Sequence, residues 1–86
     1  MTSDIQEIIE TLRKFNDDRD WEQFHNAKDL AIALSIEAAE LSEAYLWKTA
    51  KDANIEKVRE ELADIFNYAF MIADKYNLDV KYICLS

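Results

Sequence analysis

Two acidic pairs stand out in this chain, Glu37 with Glu40 and Glu61 with Asp64, each at i, i+3 spacing. On a helix, residues three apart lie on one face, so each pair would bring two carboxylates together. At 100° per residue, Glu37 falls among Leu30, Leu34, Leu41 and Ala44, inside an apolar stripe, and Glu40 lies at its edge. Glu61 falls between Tyr68 and Ile72, and Asp64 beside Tyr68 and Met71. A buried carboxylate without a partner is costly, and paired like charges add to the cost. Lys28, Lys48, Lys51, Lys57 and Arg59 are expected at helix ends or on outer faces, so a divalent cation is the economical partner. Four hard oxygen donors suit Mg²⁺ or Mn²⁺ better than Zn²⁺ or copper. A di-iron bundle would need Glu-x-x-His pairs, and the single histidine, His25, lies outside both pairs. Glu7, Glu10, Glu22, Glu43, Glu56 and Glu60 read as a solvated surface.

The elements that must position these carboxylates are helical. The 86 residues include no Gly and no Pro, which disfavours β-hairpins and phosphate-cradling glycine loops. Asn and Asp clusters supply the punctuation, and the apolar period between them is that of a helix. The spacing predicts a first helix over about 3–16, with the stripe Ile5, Ile8, Ile9, Leu12 and Phe15 and a cap at Ser3 or Asp4. A second helix is predicted over about 27–48, capped by Asn26. Its middle, Leu30 to Leu41, is apolar on most sides, so this should be the central, most buried helix. A third is predicted over about 54–76, with Ile55, Val58, Leu62, Ile65, Phe66, Ala69, Ile72 and Ala73 on a broad face, and a short fourth from Asp79. The link over 17–26, with Trp21 and Phe24, is expected to be packed. The fold class is therefore all-α, a helical hairpin within one domain over residues 1–86.

Size and charge bound the partners. A chain this short buries only roughly 60–65% of its unfolded surface, yet half of its residues are hydrophobic. Two such hairpins are expected to pair into a four-helix-bundle-like dimer, or to double again into a tetramer. The net charge of −8 disfavours nucleic acid polymers, whereas a metal can bridge carboxylates to the phosphates of a free nucleotide. The polar, acidic N-terminus does not resemble a signal peptide, and no apolar run approaches the ~20 residues of a membrane span. With one cysteine, Cys84, no disulfide forms within the chain, and the expected location is the cytoplasm.

The runs Glu37-Ala38-Ala39-Glu40-Leu41 and Glu60-Glu61-Leu62-Ala63-Asp64-Ile65 resemble the E-x-x-E and E-x-x-D signature of MazG-like nucleotide pyrophosphohydrolases, within the all-α NTP pyrophosphatase superfamily. Arg19-Asp20-Trp21-Glu22-Gln23-Phe24-His25 and Leu46-Trp47-Lys48 resemble the dCTP pyrophosphatase branch. The likeness runs from about residue 5 to 83. It implies Mg²⁺-dependent hydrolysis of nucleoside triphosphates to monophosphate and pyrophosphate, with dCTP or related pyrimidine deoxynucleotides as substrates, in house-cleaning of the nucleotide pool. It implies that Glu37, Glu40, Glu61 and Asp64 hold the metal, and the chemistry then calls for one carboxylate, Glu37 or Glu40, to take the proton of the attacking water. It further implies that Trp21, His25 and Trp47 form a nucleobase pocket. Lys48 and Tyr68 are candidates for reaching the phosphates or sugar. Family members continue into a further helix whose Lys, Asn and K-Y-P-like ending contacts phosphates, and this sequence stops before it. Two alternatives remain at this level: a nucleotide-binding module without turnover, and a helical dimerisation module.

Overall fold

The computed structural model describes residues 3–18 and 26–86. The predicted packing of the link, with Trp21 and Phe24, lies outside the described residues. Four α-helices follow in order, α1 (Asp4–Asp18), α2 (Ala27–Glu43), α3 (Ile55–Lys75) and α4 (Val80–Leu85), with a 3-10 turn at Ala50–Asp52. No strand occurs among the described residues. α2 and α3 form the hairpin, and α1 lies against α3.

Each helix starts where the sequence supplies an oxygen acceptor. Ser3 Oγ accepts from the Gln6 N–H at 3.1 Å. Asn26 Oδ1 accepts from the Asp29 N–H at 2.8 Å, as the spacing predicts. Asn54 Oδ1 accepts from both Glu56 and Lys57 N–H groups, and Asp79 Oδ1 accepts from the Tyr82 N–H at 2.9 Å. Such caps satisfy amides that the helix leaves without partners.

The helix ends are managed without glycine. At the end of α3, Asn77 takes φ 56°. The Leu78 N–H then donates to Ala73 O at 2.9 Å and the Asn77 N–H to Asp74 O at 3.1 Å. This pair of bonds is a Schellman closure, with Asn as the tolerated substitute for Gly. α2 ends at Glu43, earlier than the predicted Lys48. Tight turns follow, with Tyr45 N–H to Ser42 O, Leu46 N–H to Glu43 O and Lys48 N–H to Tyr45 O, each at 3.0 Å. Trp47 sits in them at φ 63°.

The core is small. Among the described residues, Leu30, Ala44, Ala53, Ala73 and Val80 are the buried apolar ones. The expectation that α2 is the most buried helix fails in this chain: Ile32 and Ile36 are about half exposed. Ile55, Leu62 and Phe66 on α3 are also exposed, as are Ile8 and Phe15 on α1. The reason is geometric, since a two-helix hairpin covers one stripe per helix and these helices carry apolar residues on more than one. Arg13 of α1 ties down α3 through a forked ion pair, with Nη2 at 2.6 Å from Asp74 Oδ1 and Nε at 3.2 Å from Oδ2. No described helix is long and apolar enough to cross a membrane.

Candidate metal centre

The hairpin brings Glu37 of α2 to Glu61 and Asp64 of α3. One carboxylate oxygen from each lies within 4.8 Å of the others. Glu61 is buried at 4% exposure, Glu37 is half-buried and Asp64 is exposed, so the cluster opens to solvent on the Asp64 side. Glu37 Oε2 and Glu61 Oε2 are both buried and have no hydrogen-bond donor. Two buried oxygens without donors, on residues of an all-oxygen donor set, fit a divalent cation.

The electrostatics follow from that arrangement. The Glu37 carboxyl is pushed up to about 7. The main cause is the Glu61 carboxylate beside it, with which it would share a proton. Partial burial and the negative charges of Glu40 and Asp64 add to it. Glu61 moves the other way, below its ordinary value, chiefly because Lys57 donates to it. The Tyr68 phenol is pushed up by burial and by the charges of Glu37 and Asp64, so it stands beside the cluster.

The sequence-predicted residues divide accordingly. Glu37, Glu61 and Asp64 converge. Glu40 acts on both Glu37 and Glu61 but stands outside that three-oxygen set. Tyr68 joins the site's edge. Trp47 lies after α2 and is 93% exposed, and Lys48 is exposed beside it. Trp21 and His25 lie outside the described residues. Lys57 lies at a helix end, in the first turn of α3, as expected, but the expectation that no basic residue meets the buried acids is corrected, because its Nζ lies 2.8 Å from Glu61 Oε1. The signal was in the sequence, since Lys57 and Glu61 are at i, i+4, where side chains meet on a helix.

Fold and site together define an all-helical hairpin that carries an acidic, oxygen-only centre between its two long helices. The profile of the MazG-like family matches residues 32–84, and the chain belongs to that family. It is 31% identical over 90 residues to dCTP pyrophosphatase 1 of Homo sapiens, an alignment covering 95% of this chain and 53% of that protein. The Mus musculus dCTP pyrophosphatase 1 is 29% identical over the same shares. The chain thus spans about half the length of the curated relatives it matches. A crystal structure of a pyrophosphatase from Archaeoglobus fulgidus superposes with a TM-score of 0.85 at 30% identity, covering 99% of this chain and 85% of that one.

Proposed function

We propose that this chain hydrolyses nucleoside triphosphates to monophosphate and pyrophosphate with Mg²⁺, dCTP or a related pyrimidine deoxynucleotide being the favoured substrate. The observation that carries the reading is the pair of buried, donor-less oxygens on Glu37 and Glu61 inside the three-carboxylate cluster. The similarity to dCTP pyrophosphatases supports the substrate class. Glu37, Glu61 and Asp64 would hold the cation, with Glu40 alongside. When bound, Mg²⁺ supplies charge neutralisation for the phosphates and polarises the attacked phosphorus.

The remaining chemistry falls to side chains. A water entering at the open side of the cluster would give its proton to one of the carboxylates, Glu37 or Glu40, as its oxygen bonds to the α-phosphorus, the α–β phosphoanhydride bond breaks and pyrophosphate leaves. Tyr68, at the edge of the cluster, orients the sugar or phosphates. Trp47 presents an uncovered ring on which a base can stack. Non-Gly residues held at positive φ cost of order 1–3 kcal/mol and concentrate at functional sites, which supports a role for this one.

A second copy belongs to the reading. The uncovered Ile32, Ile36, Ile55, Leu62 and Phe66 give two hairpins the apolar surface needed for a four-helix bundle, as a dimer or a tetramer. The test of the activity is incubation with dCTP and Mg²⁺, followed by separation of dCMP and pyrophosphate. Stoichiometric products that disappear with Glu37→Gln and with chelator support it. Nucleotide binding without products would favour the non-hydrolytic module instead, and a chain that neither binds nor turns over dCTP would leave only the dimerisation reading.

A further inference from the structure

Lys57 has no place in the proposed chemistry, yet it makes the shortest contact to the cluster's most buried member. Its Nζ lies 2.8 Å from Glu61 Oε1, while Glu61 Oε2 has no donor. The Glu61 side chain is 5% exposed and that of Lys57 49%. The ammonium therefore reaches inward from a solvated stem in the first turn of α3. Its other neighbours are also acidic: Glu40 and Glu60 both act on it, after Glu61.

We propose that Lys57 is a resident cation of the centre, which competes with a divalent metal for the charge of Glu61 and which, loosened as the metal takes the free oxygen, meets the negative charge of the triphosphate. The inference rests on the reading of the cluster as a metal centre. Three features carry it. The ammonium at Oε1 already offsets the single negative charge of Glu61, which makes the free Oε2 a poorer ligand for a second cation, so the two compete for that charge. The Lys stem is half in solvent, so its head can move without unpacking the core. Once loosened, an ammonium beside the acidic cluster is within reach of whatever anion the metal brings in. Lysine acts on phosphate as a mobile point charge, needing no fixed fork geometry.

This predicts opposite effects on two ligands. Lys57→Met should bind Mn²⁺ more tightly in the absence of nucleotide, by ~3- to 10-fold, and should raise KM for dCTP by a similar factor. Mn²⁺ affinity is read from the free-ion electron paramagnetic resonance signal, and folding from far-UV circular dichroism. Lys81→Met, on exposed α4, makes the same change of net charge away from the cluster and should shift Mn²⁺ affinity less than about twofold. Lys57→Arg should keep KM near the wild-type value. If Lys57→Met binds Mn²⁺ no better than wild type, or if Lys81→Met tightens it equally, the competition idea is overturned while the metal centre stands. If wild-type protein binds no Mn²⁺, the metal-centre reading itself falls, and this inference with it.

Discussion

Glu37 on α2 and Glu61 on α3 face one another across the hairpin, and each keeps one buried oxygen that no donor reaches. Their acidities are driven apart, Glu37 upward by its acidic neighbours and Glu61 downward by Lys57. One carboxylate that readily holds a proton beside one that stays charged is an arrangement for handling protons next to a cation.

The first prediction concerns pH. The folded protein binds the Glu37 proton up to about pH 7, whereas the unfolded chain releases it near 4.5. The native state then holds more protons than the unfolded one across that window, so stability should fall as pH rises through it. The Glu61 shift has the opposite sign and acts below its ordinary value of 4.5, outside this range. Urea midpoints at about pH 5 and about pH 8 in chelator should show the decline, and Glu37→Gln should flatten it. A saturating divalent cation should reverse it, because the metal favours the ionised form.

Trp47 offers a trade between stability and binding. Glycine accepts φ 63° without the steric cost a side chain carries. Because the ring is 93% exposed, its removal loses little packing. Trp47→Gly should therefore raise stability by about 0.5–1 kcal/mol, measured by urea unfolding. The same change should raise KM for dCTP by roughly 5- to 100-fold if the ring stacks on the base. Unchanged KM would remove Trp47 from the substrate site.

Two substitutions probe what holds the helices together. Leu30, 2% exposed, is the side chain most enclosed by the hairpin. Leu30→Ala should cost about 2–5 kcal/mol, a large part of a small domain's stability. Arg13→Ala breaks the fork to Asp74, but the pair is partly solvated, so its loss should cost about 0.5–1 kcal/mol. Thermal unfolding of the two variants should rank them in that order.

The apolar face of α3 tests assembly. Phe66 is 54% exposed and stacks on Phe70, with ring centroids 6.2 Å apart. Wild-type protein should sediment as a dimer or tetramer of the 10.1 kDa chain. Phe66→Glu places a charge where the second hairpin would sit and should shift it toward monomer. A wild-type monomer at micromolar concentration would refute the pairing.

The positions of the carboxylates were legible in the sequence because helical periodicity is local. Three residues along a helix always return to one face, and Glu37 among Leu30, Leu34 and Leu41 announced a charge in an apolar stripe. The cap at Asn26 and the start of a short helix at Asp79 were legible for the same reason. Other features depend on how far apart segments meet, which no local period encodes. The register of the hairpin decided that Glu37, Glu61 and Asp64 form the three-oxygen set and that Glu40 stands beside it. Packing decided that Arg13 meets Asp74, 61 residues away, and that Ile32 and Ile36 stay uncovered within one chain. Lys57 lies between the two cases. Its i, i+4 spacing from Glu61 is written in the sequence, but the burial of Glu61 against α2 turns that pair from a surface contact into part of the centre.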